Sequence, residues 1–468
     1  MDVRPPVALP AAFSSAGSAA LPDRWWTAFG DPKLDALVAE AIAGNFSLRV
    51  AWDRLDQARA VADTAEAPLW PTLDGTAGAS RAVQRTPVLG RNYATDLSLG
   101  LLAGYEVDLW GRIRSAVDAA RLDVDASASD LRAAAITLAA EVTRTWVTLI
   151  EQQAQLRILE EQLATNEQYL DVITLRFRRG QVSAADVLQQ RQLVESTRGE
   201  EWLVQSAIAV LENRLAVLLG RAPGAMEMAA PEALPALPPA PATGVPADWV
   251  RRRPDVAAAE RRVQAADRRV AAAIADQFPR LGLTVAAETG AEQVRDLFDN
   301  WLASMAANLT APLFDGGRRA AEVRRTRAVV SERLNTYGQV VLESLEEVED
   351  ALAQETQQAA YVASLTRQLE LAKDATDRVR DQYTLTGQDF VRYLTTLLSY
   401  QRLQRTTLLA ERQLVEFRID LYRALAGGWS ITRPAETTVA EAEAAPDAPE
   451  PTEAAPPKEA APPENEGS

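Results

Sequence analysis

The chain has 468 residues, is 47% hydrophobic and 24% charged, and carries a formal net charge of -16. It contains no His and no Cys, which excludes thiol nucleophiles, the usual zinc ligands and imidazole acid–base chemistry. Nine acids against one Lys in the last 35 residues give the tail -8 and leave the body -8. An acidic body argues against nucleic acid as a partner.

The length allows two or three ordinary domains or one elongated one. No run of 18 apolar residues predicts a transmembrane helix. No signal-peptide pattern is visible in MDVRPPVALPAAF, which reads as a mature N-terminus behind an added Met. Proline is absent between Pro87 and Pro223 and again between Pro312 and Pro434. Pro inside a helix costs about 3 kcal/mol, so the two Pro-free runs predict long helices.

Residues 1–22 are Ala/Pro/Ser-rich and read as extended. Asp31-Pro32 starts a helix, with Asp as the cap and Pro in the first turn, and Gly44 ends it. A second helix over about 46–67 stops at Pro68 and Pro71. A weak strand, TLDGTAGAS, precedes a polar loop over 81–95. From Leu97 to Leu109 apolar odd residues alternate with mostly polar even ones, the period of a strand with two unlike faces. A half-buried strand of a soluble sheet and a barrel strand in a membrane both give this signal. The helix that follows, Ile113 to Arg179, would be about 100 Å long at 1.5 Å per residue. Val142, Leu149, Leu156, Leu163, Leu170 and Phe177 recur every seventh residue and predict a coiled-coil seam. Gly180-Gln181 is the turn, Ser183 caps a second helix to Leu219, and so short a link makes an antiparallel hairpin.

After an Ala/Pro-rich linker, 222–245, the sequence repeats itself. Trp70-Pro71-x-Leu73 matches Phe278-Pro279-x-Leu281 at an offset of 208, Gly111-Arg112 matches Gly317-Arg318 at 206, and Gly180-Gln181 matches Gly387-Gln388 at 207. Leu219-Gly220 matches Ala426-Gly427, also at 207. Landmarks in order at a near-constant offset mark an internal duplication. The organisation expected is an extended segment 1–22, a first repeat 23–221, the linker, a second repeat 246–428 and a disordered acidic tail 429–468. The first repeat holds a β-hairpin at about 72–110 and a helical hairpin 113–219. The second holds a helix 254–277, a β-hairpin at about 281–314 and a helical hairpin 318–426. Four strands cannot close a barrel, so they must pair between chains, eight strands from two or twelve from three.

The chain resembles the TolC-like outer-membrane efflux factors, particularly the lipoprotein channels of multidrug and metal pumps. The resemblance spans about 20–430 and rests on RRRPDVAAAERRVQAADRRVAAAIADQFPRL (251–281), YEVDLWGRIRSAVDAA (105–120), APLFDGGRRAAEV (311–323) and WWTAFGDPKLDALV (25–38). It implies a mostly helical fold with a membrane β-barrel: a homotrimer with twelve strands in the outer membrane of a Gram-negative bacterium and twelve helices across the periplasm. It implies no cofactor, no catalysis, a periplasmic adaptor and an inner-membrane pump of the RND type. It also implies an N-terminal lipid anchor on a Cys, where this sequence has Met1-Asp2.

The same resemblance places adaptor docking at the helical turns. These are Arg178, Arg179, Gly180, Gln181 and Val182 in the first copy and Leu385, Thr386, Gly387 and Gln388 in the second. Both copies keep Gly followed by Gln. The gate that would close the tube falls on Asp389, Arg392, Thr396 and Ser399. The family's usual acid is missing there, since the run reads Ser399-Tyr400-Gln401-Arg402. Arg252, Arg253, Pro254 and Asp255 read as structural, tying a helix start to neighbouring chain. Gly111, Gly316 and Gly317 stand where strand becomes helix, a change of direction that favours Gly. Protein secretion of type I, a periplasmic adaptor and a coiled-coil scaffold are the competing functions. The two sets of barrel-like strands disfavour the last two.

Overall fold

The computed structural model describes residues 5–15, 17–87, 90–224, 228, 230–386, 389–429 and 431–433. The acidic tail from 434 onward, Gly387 and Gln388 lie outside them. Helices α1 (Pro32–Gly44) and α2 (Phe46–Glu66) lead into strands β1 (Thr72–Thr86) and β2 (Gly90–Val107). The helical hairpin α3 (Arg112–Arg178) and α4 (Ala184–Leu218) follows. The second copy comprises α5 (Pro246–Arg252), α6 (Pro254–Ala275), β3 (Arg280–Ala291), β4 (Trp301–Thr310), α7 (Arg318–Thr386) and α8 (Phe390–Leu425).

The helix starts follow from local chemistry. The Asp31 carboxylate accepts from Lys33 N at 2.9 Å, and its other oxygen accepts from Trp146 Nε1 at 2.7 Å. One cap therefore also fixes α1 against α3. Ser183 and Asp186 form a reciprocal capping box at the start of α4. At the end of α3 the Gln181 amide donates to Arg176 O at 3.0 Å while Gly180 adopts φ 70°. This is a Schellman turn, which needs a residue at ease in the left-handed region.

Beside the N-terminal part, Trp25, Trp26 and Phe29 form a buried 3-10 turn against α1, α3 and Tyr422 of α8. A second core joins Phe13 and Trp249 to α6, α7 and the end of α8. By length and apolar composition α3 could cross a membrane, where the sequence showed no qualifying run. Val142, Trp146, Leu149 and Ile150 are instead fully buried among the other helices. The heptad seam divides. Val142 and Leu149 are buried, Leu156, Leu163 and Leu170 are half-buried, and Phe177 is 44% exposed. Lower down, Leu159, Gln162, Asn166 and Ile173 take the buried positions within the protomer, because a helix with neighbours on two sides spreads its contacts beyond one stripe.

The strands form one antiparallel sheet in the order β1-β2-β3-β4. The polar segment 81–95, expected to be a loop, is strand: Arg81 pairs with Thr95 and Thr86 with Gly90. A ladder is held by backbone bonds, so polar side chains do not end it where both faces are wet. In β4 the ladder stops at Thr310, short of the expected 314, because Pro312 cannot donate to it. The Pro/Ala linker is pinned rather than free. Gln153 Nε2 donates to Met228 O at 2.7 Å, the buried Arg418 donates to Pro238 O, and Pro241 bridges to Ala19. Trp429 packs edge-on against Trp26 at 4.9 Å, so the chain stays in the core beyond the expected tail boundary at 429.

Of the three arginines in the Arg-Arg-Arg-Pro-Asp motif, Arg253 is the one that ties helices together. Pro254 opens α6, and the Arg253 guanidinium reaches Asp255 at 2.9 Å, Glu347, and the Ser344 and Ala424 carbonyls. It thereby joins the start of α6 to α7 and α8. Burial opposes its charge, but the two carboxylates outweigh that and hold its pKa above the ordinary value. Arg251 and Arg252 are exposed, so the tie expected of Arg252 is made by its neighbour. Arg253→Ala is expected to destabilise the protein by about 2–3 kcal/mol, the worth of charge-assisted hydrogen bonds left without a donor. Arg252→Ala should stay within about 0.5 kcal/mol. Thermal unfolding in detergent compares the two.

Candidate functional site: a two-faced sheet on a helical duct

Every cross-strand pair in the sheet joins residues of equal parity, with Leu101 opposite Gly75 and Ala287, and Val285 opposite Met305. One face therefore carries only odd residues: Leu97, Leu99, Leu101, Tyr105, Leu283, Val285, Trp301, Met305 and Leu309 among them. The other carries Asp74, Thr76, Ser98, Glu106, Thr284, Glu288, Ser304 and Asn308. In the single chain the apolar face is open, with Leu101 55%, Trp301 76% and Met305 85% exposed. Between Leu97 and Val107 ten residue steps, tilted about 40°, rise about 25 Å, the height of the apolar band of an outer-membrane barrel. Trp301 borders this band at one end. Trp110, stacked on Phe278 at 4.9 Å, and Phe314 lie at the other.

Where strand becomes helix, the residues that make the turn possible are aspartates as well as glycines. Gly111, Gly316 and Gly317 adopt φ of 74°, 63° and 85°. Asp108 accepts from the Ile113 and Arg114 amides at 3.1 and 2.9 Å, and Asp315 from Gly317 and Arg319 at 3.0 and 3.2 Å. Each carboxylate thus satisfies the donors left free at the start of a helix of about 100 Å. The signal is present in YEVDLWGR and LFDGGR, both with Asp ahead of Gly-Arg. Arg319 links Asp315 to Asp276. Arg262, Arg268 and Arg269 of α6 pair with Asp130, Asp118 and Asp123 of α3.

At the far end the ends of four helices come together. Ile173 of α3, Val187 of α4, Val379 and Tyr383 of α7, and Phe390, Tyr393 and Leu397 of α8 form one buried cluster. Tyr383 stacks on Tyr393 at 5.9 Å, Tyr169 meets Tyr393 at 4.8 Å, and the Arg176 guanidinium lies 4.5 Å over the Tyr383 ring. Burial, with a hydrogen bond to Tyr169, pushes the Tyr393 phenol far above its ordinary pKa, so it stays neutral. Above the cluster, Gln401 Nε2 donates to Asn166 Oδ1 at 3.1 Å and Gln190 Nε2 to Asn166 O at 2.8 Å, all three buried. Sequence reasoning found neither layer. Three of nine tyrosines near the two turns were the available clue.

Of the expected docking residues, Arg178, Arg179, Gly180 and Gln181 are exposed and Val182 packs on the aromatic cluster. Leu385 is 85% exposed and Thr386 ends α7. Gly387 and Gln388 lie outside the described residues. Among the expected gate residues, Asp389 and Arg392 are exposed and Thr396 and Ser399 half-buried. Their spacing puts Arg392, Thr396 and Ser399 on one face of α8, with Asp389 at its N-terminal cap. Asp389 is the only non-glycine with positive φ among the described residues, at 65°.

A sheet with one apolar and one polar face, set on long paired helices, defines a channel that crosses a membrane and continues beyond it as a helical duct. The chain belongs to the outer membrane efflux protein family, which matches residues 37–221 and again 245–427. It is 32% identical over 425 residues to the pyoverdine export outer membrane protein OpmQ of Pseudomonas aeruginosa, covering 88% of each chain. It is 30% identical over 420 residues to the toluene efflux pump outer membrane protein TtgI of Pseudomonas putida, covering 86% of this chain and 87% of that one. The solved outer-membrane channel OprN superposes with a TM-score of 0.85 at 28% identity, over 92% of this chain and 99% of its own. CusC superposes at 0.81 and 26%, with the same coverage. The protein is thus an outer-membrane efflux channel of the trimeric, TolC-like kind, and its family is one of transport rather than catalysis.

The odd face of the sheet therefore meets lipid and the even face lines the lumen. Leu101→Arg is expected to destabilise the assembled barrel by about 2–4 kcal/mol, and Ser304→Arg, one residue step along on the other face, by much less. Urea unfolding from liposomes measures both. Asp108 gives a pH signature. Burial favours its neutral form, but the Arg114 and Ile113 amides and the Arg114 guanidinium outweigh it and hold the carboxylate below its ordinary 3.8. A lowered folded value stabilises fully above the unfolded pKa and is lost as pH falls through the folded one. Asp108→Asn should therefore lower the melting temperature at pH 7, and the gap to wild type should close as the pH falls below the ordinary carboxylate range.

Proposed function

We propose that the trimer is the passive exit duct of a tripartite efflux system. It would receive small molecules from an inner-membrane pump of the RND type through a periplasmic adaptor. The observation that carries this reading is the joint placement of the ends of α3, α4, α7 and α8 away from the sheet, tied by the aromatic cluster, with Arg178, Arg179 and Leu385 exposed. A hairpin tip meeting these turns would find a Gly180 backbone with open space around it. It would also find amide and guanidinium groups able to bond to it. Asp389 at the cap of α8, with Arg392, Thr396 and Ser399 on one face of that helix, would line the constriction where three such ends converge. OpmQ and TtgI are named for pyoverdine and toluene, which supports small organic cargo over the secretion of proteins.

Gly180→Trp combined with Gly387→Trp is expected to abolish drug resistance in a pump-dependent strain while trimer formation and membrane insertion stay normal. Resistance equal to wild type at equal expression would reduce the turns to mere connections.

A further inference from the structure

Charge on the sheet is sorted by face. The acids of the strands, Asp74, Asp96, Glu106 and Glu288, are all even-numbered and lie on the lumen face. The odd face has three charged residues, Arg81, Arg85 and Arg91, and no acid. All three lie at the hairpin end of β1 and β2, opposite the end from which the helices leave. Arg85 and Arg91 are directly paired across the ladder, which sets their Cα atoms about 5 Å apart. Like charges in that position repel. Arg81 shares their face and lies over the Tyr93 ring at 5.5 Å. All three are exposed, and among the described residues no carboxylate pairs with them. Arg81 stands opposite Thr95, two steps beyond Leu97, and Arg91 stands six steps beyond it. At about 2.5 Å of rise per tilted residue they lie about 5–15 Å outside the apolar band, at the height of lipid headgroups.

We infer that Arg81, Arg85 and Arg91 form a binding site for the phosphate groups of anionic glycolipid in the outer leaflet. The inference rests on the reading of the odd face as lipid-facing. A phosphate between Arg85 and Arg91 relieves their repulsion, and the guanidinium fork bonds two of its oxygens at once. Acyl chains of the same molecule would lie along the Leu97 and Leu99 side of β2. The cluster faces lipid rather than lumen, so its ligand is a membrane component and not the transported cargo. A trimer carries three such sites around its rim, which would anchor the barrel's depth and seal lipid against it.

The test uses the full-length trimer in neutral detergent and native mass spectrometry, with bisphosphorylated lipid A, fully dephosphorylated lipid A and inorganic phosphate as probes. Wild type should retain up to three bisphosphorylated lipids per trimer and bind the dephosphorylated lipid at least tenfold more weakly. The triple variant Arg81→Gln, Arg85→Gln, Arg91→Gln should lose at least tenfold in affinity for the phosphorylated form. Millimolar inorganic phosphate should displace little of it. Equal binding of the two lipids by wild type, or equal binding by wild type and variant, overturns the site. Full displacement by inorganic phosphate shows a free-anion site and overturns the lipid assignment. If the triple variant fails to assemble, the comparison of the two lipids on wild type still decides. Failure of the wild-type chain to insert into liposomes would instead strike the lipid-facing reading itself.

Discussion

A strand edge cannot stand unpaired in hydrocarbon. Each free amide and carbonyl there costs several kcal/mol, and only a closed ladder removes the cost. The four-stranded sheet leaves β1 and β4 as edges, so the protomer is incomplete in the membrane by itself. Three sheets closing into twelve strands meet the requirement, and the equal-parity register makes the closure possible without a break. The apolar face of one protomer continues the apolar face of the next, while acids and hydroxyls line a water-filled lumen. The rest of the molecule serves this sheet or extends it.

The junction between sheet and duct is where backbone geometry must change, from an extended ladder to a helix of about 100 Å. Two aspartates manage it, one per repeat, by occupying the donors at the helix start. The ion pairs between α3 and α6 lie next to this junction and fix α6 in register along the first part of α3. Farther down, the buried amides of Asn166, Gln190 and Gln401 tie α8 to the first hairpin. A layer of buried amides hydrogen-bonded to one another favours one alignment, because a slip would leave the Asn166 and Gln401 side chains unbonded. Below it the stacked tyrosines close the protomer at its far end.

The two repeats are similar in plan and differ where their tasks differ. Strands β1 and β2 have 15 and 18 residues against 12 and 10 in β3 and β4. Only the strands of the first hairpin therefore continue past the apolar band, and they carry the three arginines there. At the other end, α4 begins with a conventional capping box, whereas α8 begins at Asp389 in a left-handed conformation that costs about 1 kcal/mol or more. Duplication supplied the scaffold twice, and the copies differ in strand length at one end and in the start of the second long helix at the other.

By itself the sequence determined the periodic parts. Proline-free runs gave the helices, odd–even alternation gave the strand faces, and matched landmarks gave the duplication, because each depends on residues close in the chain. The positions of Gly111 and Gly180 were legible for the same reason, since a turn is a local event. Only the tertiary structure decided what depends on distant partners. Arg253 rather than Arg252 is the tie because α7 and α8 bring Glu347 and the Ala424 carbonyl to it. The segment 81–95 is strand because it has a ladder partner, which polar composition conceals. Tyr169, Tyr383 and Tyr393 meet only once four helices end together. Arg85 and Arg91 become a like-charged pair only through the register that sets them face to face.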